Sequence, residues 1–338
     1  MKTGILIANL GSPDSPSVKD VRRYLRQFLM DPYVIDIPVW LRFLIVELAI
    51  LPTRPHASAE AYQSVWTAEG SPLVTMSRRF VAALQEKKTE PVALAMRYGS
   101  PSMEFGVNAL LSKNVDRIAL VPMYPHFAMS SVTTAVVEFE SVLNRLAPAM
   151  ERSVVPPFFE HPLYIAALTQ QMRPYVSEVD HILFSYHGLP ERHLRKTDPT
   201  GAHCLTAGCC EKPSAAHATC YRHQVRTTTQ RVVDQLGLSS DQWSLSFQSR
   251  LGKDPWLTPF TDKVIPELAA RGVKRLGVVC PAFVADCLET IEEIGDRGRA
   301  QFLAEGGTEM QMIPCLNDGA DWVTAMATII QETVAATL

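Results

Sequence analysis

The chain of 338 residues has no long basic run, and its formal net charge is −3 at pH 7. We therefore expect no nucleic-acid partner, because a phosphate backbone is bound by clustered Lys and Arg side chains. The N-terminal apolar run is too short for a signal peptide and is interrupted by Asn9, so the expected compartment is the cytoplasm. A periplasmic type of metal-binding protein is disfavoured on the same ground.

No apolar run is both long enough and free enough of charge to cross a bilayer. The most apolar stretch, residues 35–52, carries Arg42 and Glu47. We interpret this stretch as a buried helix. The alternative is an exposed apolar lip, within residues 20–55, that contacts a membrane edge or an apolar ligand. Peripheral membrane contact therefore stays open, as does the choice between a monomer and a homodimer.

Low-complexity linkers are also absent, and the shares of apolar (47%) and charged (20%) residues are ordinary for a soluble globular protein. Since a chain of this length exceeds one ordinary core, two domains are expected. Short apolar runs, most of them followed by a Gly or Pro turn, fall into two sets of four. They occupy residues 4–13, 91–101, 116–127 and 152–159, then residues 181–190, 243–252, 274–283 and 309–317.

Helical patterns separate these runs, for example at residues 220–236 and 288–305. Strands that alternate with helices indicate parallel sheets flanked by helices. We predict an α/β protein with two similar domains, residues 1–160 and 161–338, each built on a four-stranded parallel sheet, with a cleft between them. The last helix, from about Gly319, could instead pack on the first domain.

Seven cysteines are present, and four of them fall within 17 residues of one loop, residues 197–220. These four are Cys204, Cys209, Cys210 and Cys220. Such crowding in a reducing compartment indicates metal binding rather than disulfides. Their spacing lacks the paired C-x2-C of most zinc sites, whereas four thiolates suit an iron–sulfur cluster. Zinc bound with His203 or His217, or a loop without metal, are the alternatives. The remaining cysteines are predicted to be buried apolar residues, namely Cys280, Cys287 and Cys315.

Polar side chains follow most of the predicted strands. They are Asn9, Arg97, Tyr98, Tyr124, His126, His187, Gln248, Arg250 and Asp286. The carboxyl ends of parallel strands share one edge of a sheet, which is where open α/β folds bind ligands. His187 ends an apolar run in a turn that contains Gly188 and Pro190, and histidine suits a base or metal ligand near neutral pH. Asn9 and Gln248 are interpreted as structural polar groups.

A row of carboxylates follows the run that ends at Pro281. Asp286, Glu289, Glu293 and Asp296 are spaced by three, four and three residues, which predicts one shared helix face. Carboxylates this close repel one another, so an enclosed set is expected to bind a cation or share a proton. The alternative for Glu293 and Asp296 is a solvated helix face.

The motifs NLGSP, SYHGLPERH, FQSRLGKDPWLTP and CPAFVADCLETIEE resemble the ferrochelatase family in order and spacing, over essentially the whole chain. The resemblance implies two Rossmann-like, chelatase-type domains with a porphyrin cleft between them. It also implies a lyase of haem biosynthesis that inserts ferrous iron, its substrate, into a porphyrin. Protoporphyrin IX is the expected porphyrin, and a coproporphyrin stays open.

The resemblance extends to individual residues. His187 matches the active-site histidine of the family and Glu289 the acid of a later motif, so both are predicted to be catalytic. The predicted iron contacts are His187, Glu289, Asp286 and Glu293. The predicted porphyrin contacts are Leu10, Met30, Tyr62, Arg97, Phe127, Trp256 and Phe283, with Arg23, Arg26 or Arg97 on the propionates. Cys287 stands where many members have histidine, so any role of that histidine is absent here.

Some bacterial ferrochelatases resemble this chain in carrying an internal cysteine set with a 2Fe-2S cluster. We therefore expect Cys204, Cys209, Cys210 and Cys220 to hold such a cluster, off the catalytic path. Two alternative functions are a cobalt or nickel chelatase and a non-catalytic tetrapyrrole or iron–sulfur sensor. The intact pair of His187 and Glu289 argues against the sensor.

Overall fold

A computed structural model describes residues 2–252 and 254–336. The chain divides into two compact units. Unit 1 comprises the residues up to Tyr124, Met129–Pro156 and the residues from Asn317 onward, and unit 2 comprises Pro125–Ala128 and Pro157–Leu316. Over the described residues, each unit is built on one four-stranded, all-parallel sheet. The predicted α/β class with two four-stranded parallel sheets is confirmed.

The sheet of unit 1 has the strand order β2-β1-β3-β4. Its strands are β1 (Thr3–Ser12), β2 (Val92–Gly99), β3 (Arg117–Pro122) and β4 (Glu151–Val154). Ile7 of the central strand pairs with Leu94 on one side and Val121 on the other. Because helices cover both faces of this strand, its side chains are buried on both faces, which explains its continuous apolar run.

The α-helices of unit 1 are α1 (Val18–Leu29), α2 (Val39–Leu44), α3 (Arg54–Val65), α4 (Pro72–Lys87), α5 (Met103–Leu111), α6 (Thr134–Leu146) and α12 (Ala320–Ala336). The sheet is contacted by α1, α4, α5, α6 and α12, whereas α3 packs on α1. One core forms where α5 and α6 meet the sheet, around Leu6, Val107 and Phe139. Phe80 of α4 packs against Trp322 of α12, with ring centroids 6.1 Å apart.

Unit 2 repeats the same topology, with the strand order β6-β5-β7-β8. Its strands are β5 (His181–His187), β6 (Trp243–Gln248), β7 (Arg275–Val279) and β8 (Glu309–Met312). Its α-helices are α7 (Pro162–Val176), α8 (Glu191–Lys196), α9 (Tyr221–Leu236), α10 (Thr261–Ala270) and α11 (Arg299–Ala304). Phe184 of the central strand pairs with Leu245 and Val279.

The segment between β7 and α11 is a π-helix, Glu289–Gly298, rather than the regular helix that the acidic spacing predicts. A π-helix closes i→i+5 hydrogen bonds, so its turn is wider than that of an α-helix. Consequently the acids do not share one face. Asp286 precedes the π-helix and is buried, whereas Asp296 is exposed.

The apolar stretch at residues 35–52 is an exposed lip, so the preferred interpretation as a buried helix is wrong. It forms α2 and then the π-helical segment Ile45–Ile50. Arg42 and Val46 face inward, and Arg42 donates to the carbonyl oxygen of Ile35 at 2.9 Å. The opposite side therefore presents the large apolar side chains to solvent. They are Val39, Trp40, Phe43, Leu44, Ile45 and Leu48.

Among the described residues, no helix combines the length and apolarity required to span a membrane.

Candidate active site

The candidate site lies at the carboxyl ends of β5 and β7, in unit 2. The strand order places β6 on one side of β5 and β7 on the other. The connections that leave β5 and reach β7 therefore run to opposite sides of the sheet. Such a switch point opens a crevice in which α/β proteins bind ligands. His187 is the last residue of β5, and the segment after β7 leads into the π-helix Glu289–Gly298.

The imidazole of His187 is half-buried and has a defined orientation. Its Nδ1 lies 2.7 Å from the carbonyl oxygen of Gly188. Since a carbonyl oxygen only accepts, Nδ1 carries the hydrogen, and in the neutral ring Nε2 holds the lone pair. The geometry thus leaves Nε2 as the atom that can accept a proton or bind a metal.

Gly188 is required by the space around it. A Cβ at this position would lie 2.9 Å from the carbonyl oxygen of Ser249 and 3.0 Å from that of Gln248. Main-chain atoms cannot move away as a flexible side chain would. The turn after β5 therefore depends on glycine, as does the orientation of His187, whose imidazole bonds to the Gly188 oxygen.

Glu293 lies in the same site and is firmly held. Its carboxylate accepts from the main-chain N–H of Ser249 at 3.0 Å and from the Ser249 hydroxyl at 2.5 Å. Burial raises the pKa of Glu293, the Ser249 donors and His187 lower it, and the neighbouring Glu289 raises it again. His187 pairs with Gln248 in the sheet, and Ser249 follows Gln248, so the Ser249 contacts place Glu293 at the same strand ends as His187.

Glu289 opens the π-helix and is half-buried. Its main-chain carbonyl accepts from the side-chain amide of Gln248 at 3.0 Å, and Gln248 in turn accepts from the Ser185 hydroxyl at 2.8 Å. Gln248 therefore fastens the start of the π-helix to β5 and β6. This is the structural role that the sequence predicted for Gln248.

Asp286 is buried and participates in local hydrogen bonds. Its Oδ1 accepts from the Thr290 hydroxyl at 3.1 Å and from the main-chain N–H of Cys315 at 3.2 Å. These contacts tie the π-helix to the segment after β8. Its assignment as an iron contact stays a prediction.

Two aromatic residues border His187. The ring of Phe283 meets the imidazole edge-on, with centroids 6.3 Å apart. Trp256 forms a β-bridge with Pro190, and its indole N–H donates to the carbonyl oxygen of Leu251 at 3.0 Å. Two of the three predicted porphyrin contacts of this unit thus lie beside the His187 turn.

His126 is a core residue of unit 2. Its Nε2 donates to the Thr228 hydroxyl oxygen at 2.9 Å, and that hydroxyl donates to the carbonyl oxygen of Phe159. Burial lowers the pKa of His126 to about 3, so the ring is neutral at physiological pH. The adjacent Phe127, a predicted porphyrin contact, is half-buried, and its N–H donates to Gln224.

In unit 1, Arg97 is engaged by its own surroundings. Its guanidinium donates to Asp31 at 2.5 Å and to the Thr134 hydroxyl at 2.7 Å. The same Asp31 oxygen accepts from Tyr98 and Thr134, and the Asp31 side chain is only 1% exposed. Two of the five N–H groups of Arg97 therefore serve this network, and its assignment as a porphyrin or propionate contact stays a prediction.

The other predicted contacts of unit 1 lie at the ends of its elements. Leu10 is half-buried near the end of β1, Met30 caps the C-terminus of α1, and Tyr62 is buried in α3. The two candidate propionate arginines are ion-paired at the surface. Arg23 pairs with Asp14 and Asp20, and Arg26 pairs with Glu47.

The sequence profile of the ferrochelatase family matches residues 2–334. The chain belongs to the ferrochelatase family. It is 54% identical over 327 residues to a ferrochelatase of Azotobacter vinelandii (strain DJ / ATCC BAA-1303), with 96% of each chain covered. It is 52% identical over 332 residues to a ferrochelatase of Ectopseudomonas mendocina (strain ymp), with 97% of each chain covered. The predicted family is confirmed.

Two solved structures have a similar fold. The chain is similar to SirB from Bacillus subtilis with Fe3+, with a TM-score of 0.57 and 13% identity, covering 100% of this chain and 97% of that one. It is also similar to the sirohydrochlorin chelatase SirB from Bacillus subtilis subspecies spizizenii in complex with cobalt. That match has a TM-score of 0.54 and 11% identity, covering 99% and 96% of the two chains. At such low identity the likeness concerns the fold alone.

The cysteine loop of this ferrochelatase-family chain brings its thiols together. Cys209 and Cys210 have Sγ atoms 4.0 Å apart. Arg222 donates to the Cys209 sulfur at 2.9 Å. Within residues 2–252 and 254–336, however, no three or more His, Cys, Asp or Glu side chains are arranged to hold a metal ion.

Three imidazoles and one carboxylate support the main chain of the loop. His203 and His217 direct Nε2 at the carbonyl oxygen of Cys209, at 2.7 and 3.0 Å, and His223 directs Nδ1 at that of Cys210. Asp198 accepts from the N–H groups of His203 and Cys204. Since Nε2 of both His203 and His217 donates to a carbonyl, the zinc alternative gains no support.

Sequence reasoning missed Ser249 and Tyr221. Ser249 holds Glu293, and the hydroxyl of Tyr221 donates to the main-chain carbonyl of His187 at 2.9 Å. Ser249 adjoins the strand-end pair of Gln248 and Arg250, which was a usable signal. For Tyr221, next to Cys220, the sequence offered no such signal.

Proposed function

We propose that this chain inserts ferrous iron into a free-base porphyrin, with protoporphyrin IX as the porphyrin and haem as the product. The observation that supports the proposal is the connection of His187 to two acids. His187 pairs with Gln248, whose side-chain amide binds the main-chain carbonyl of Glu289, and the next residue, Ser249, binds the Glu293 carboxylate. Named ferrochelatases at about half sequence identity, with nearly full coverage, support the same reaction. They do not favour the sensor, cobalt-chelatase or nickel-chelatase alternatives.

The chemistry requires a base that accepts protons from the porphyrin. Iron insertion displaces two pyrrole N–H protons, so two protons leave the porphyrin for each Fe2+ that enters. His187 is proposed to accept through Nε2, since Nδ1–H is committed to Gly188. Glu289 and Glu293 are proposed to contact the incoming metal, with the Glu293 carboxylate held in place by Ser249. Asp286 is proposed to complete the metal route.

The porphyrin must also bend so that its nitrogen lone pairs point at the metal. Apolar contacts that fit the bent ring better than the flat one lower the barrier, at a strain of about 1–5 kcal/mol. Phe283 and Trp256, beside His187, are proposed to supply such contacts. Leu10, Met30, Tyr62, Phe127 and Arg97 are proposed as further porphyrin contacts.

Anaerobic conversion of protoporphyrin IX and Fe2+ to haem, followed by absorbance, tests the proposal. We expect the wild type to form haem, and His187→Ala to lose at least about a hundredfold in kcat, the usual contribution of a general base. His181→Ala is the matched control. His181 lies at the opposite end of β5 from His187, and its imidazole hydrogen-bonds to the hydroxyl of Ser244 in β6. Near wild-type turnover of His187→Ala would sink the assignment of the base.

We further propose that Cys204, Cys209, Cys210 and Cys220 hold a 2Fe-2S cluster. The donor set supports it, since four thiols share one loop and the Arg222 guanidinium offsets thiolate charge. Holding these four thiolates together, the cluster would stabilise the loop or sense its surroundings. Cytoplasmic location with peripheral membrane contact is part of the same proposal, supported by the exposed apolar lip.

A further inference from the structure

Tyr221 joins the cysteine loop to the active-site histidine. It is the first residue of α9 and directly follows Cys220, which caps that helix. Its ring is buried at 5% exposure, and its hydroxyl donates to the main-chain carbonyl oxygen of His187 at 2.9 Å. Cys220 is therefore connected to His187 through the adjacent residue Tyr221 and one hydrogen bond.

The peptide group between His187 and Gly188 is fixed at both of its polar atoms. Its C=O accepts from Tyr221, and its N–H donates to the carbonyl oxygen of Gln248 at 2.6 Å. The next carbonyl, that of Gly188, accepts from Nδ1 of the His187 imidazole. Because neighbouring peptide groups share one Cα, the plane that Tyr221 helps to fix also sets the oxygen that orients the imidazole.

The other end of this connection follows the loop. In the first turn of α9, the Arg222 guanidinium donates to the Cys209 sulfur at 2.9 Å, and Nδ1 of His223 lies 2.9 Å from the carbonyl oxygen of Cys210. The side-chain amide of Gln224 donates to the carbonyl oxygens of His217 and Ala218, at 3.2 and 2.9 Å. The first turn of α9 is thus bonded to the loop by both main-chain continuity and side-chain contacts.

We propose that Tyr221 is a positioning residue that transmits the state of the cysteine loop to His187. With the four thiols held together, the Tyr221 hydroxyl fixes the His187 carbonyl and the imidazole keeps its orientation. When the loop is disrupted, the hydroxyl withdraws, the imidazole loses its fixed orientation, and turnover falls while porphyrin binding is retained. The inference rests on the proposed iron insertion at His187 and on the proposed cluster.

Tyr221→Phe tests the connection, because it removes the hydroxyl and keeps the ring. We expect kcat for haem formation to fall about fivefold to tenfold, the effect of one lost hydrogen bond, with KM for porphyrin within about twofold. The visible spectrum of the cluster should stay unchanged. Tyr186→Phe is the matched control, since it removes a buried hydroxyl that bonds Thr229 of the same helix at 2.8 Å. The control should keep kcat within about twofold.

A second readout does not depend on activity. The Nδ1–H of His187, recognised in the NMR spectrum by its loss in His187→Ala, should exchange with solvent faster in Tyr221→Phe than in Tyr186→Phe. Thermal unfolding midpoints of the two variants establish that both fold. Unchanged exchange together with wild-type kcat in Tyr221→Phe overturns the inference.

Transmission from the loop is tested by combining variants. Cys204→Ser should lose the cluster absorbance and lower kcat, and should lower it no further when Tyr221 is already Phe. A full, multiplicative loss in the double variant overturns transmission through Tyr221. Absence of haem formation by the wild type would overturn the proposed function instead, which keeps the two failures distinguishable.

Discussion

Ser249 binds both oxygens of the Glu293 carboxylate, one through its main-chain N–H at 3.0 Å and the other through its hydroxyl at 2.5 Å. Ser249 has a positive φ of 57°, a conformation that non-glycine residues adopt only when their surroundings favour it. The turn after β6 therefore positions the acid of the π-helix. Burial nevertheless outweighs these donors and raises the pKa of Glu293.

The raised pKa predicts how Glu293→Gln changes stability with pH. When the pKa of a carboxyl in the folded state exceeds its ordinary value of 4.5, protonation stabilises the fold, and this contribution is complete at a pH below 4.5. This contribution is lost as the pH rises through the folded pKa. Gln is uncharged throughout, so the unfolding temperature of Glu293→Gln relative to wild type should increase from pH 4.5 to pH 8, by about 2–4 °C per kcal/mol.

The matched control for this prediction is Asp296→Asn, on the exposed side of the same π-helix. Its unfolding temperature relative to wild type should stay constant over the same pH range, measured by differential scanning calorimetry. A Glu293→Gln difference as constant as that of Asp296→Asn would contradict a raised pKa at Glu293.

Gly188→Ala should damage both stability and turnover. The added Cβ would meet two main-chain oxygens at 2.9 and 3.0 Å, so the turn after β5 must shift at a cost of about 1–3 kcal/mol. The Gly188 carbonyl would move with it, and kcat should fall by at least about tenfold. Gly277→Ala in β7 is the control, since its Cβ would meet side-chain atoms no nearer than 3.4 Å. Equal losses in denaturant unfolding would refute the steric argument.

Most of the strands were predictable because they lie in short apolar runs that Gly or Pro follows. The run at 181–190, for example, contains β5 (His181–His187), and its histidine lies at the strand end as expected. A parallel strand that helices cover on both faces is apolar at nearly every position, and such a run can be recognised in the sequence. Those runs located His187 and, with the family motifs, Glu289.

The π-helix and the exposed lip were not predictable in the same way. Acidic residues spaced by three and four favour an α-helix, and the choice of i→i+5 bonds depends on how Glu289–Gly298 packs against β8 and α11. Similarly, an apolar stretch does not show which of its sides is covered. Arg42 and Val46 form the buried side of the lip, whereas most of its large apolar side chains are exposed. Hydropathy alone does not predict a buried arginine beside exposed apolar residues.

Asp31→Asn should destabilise unit 1 strongly. One buried oxygen of Asp31 accepts from Arg97, Tyr98 and Thr134 at 2.5 to 2.9 Å. Replacing the acid leaves the half-buried guanidinium with only the Glu138 carboxylate, at 3.9 Å, as a charge partner, and breaking a buried pair typically costs about 3–5 kcal/mol. Asp14→Asn, which breaks the exposed pair with Arg23, should cost less than about 1 kcal/mol in urea unfolding. Comparable costs would argue that the Asp31 network contributes no more than a surface pair.

Purified protein should show the absorbance and the iron and sulfide content of a 2Fe-2S cluster, and Cys204→Ser should abolish both. Cys204 is one of the four loop thiols, so its loss leaves three thiolates for a centre that requires four. Cys315→Ser is the matched control, because that thiol is buried outside the loop and should leave the spectrum intact. A wild type reconstituted with iron and sulfide that stays colourless would refute the cluster.

The lip should bind phospholipid vesicles through its exposed side chains. Trp40 and Leu48 are 63% and 69% exposed, and moving such side chains from water into the bilayer interface gains about 1.5–3 kcal/mol each when fully buried. The double variant Trp40→Ser, Leu48→Ser should therefore lower the partition coefficient of the protein onto vesicles at least about tenfold, as measured by sedimentation. Phe105→Ser removes an equally exposed side chain (64%) of α5, outside the lip, and should leave binding unchanged. Wild-type binding by the double variant, or equal loss in the control, would show that the lip does not contact the membrane.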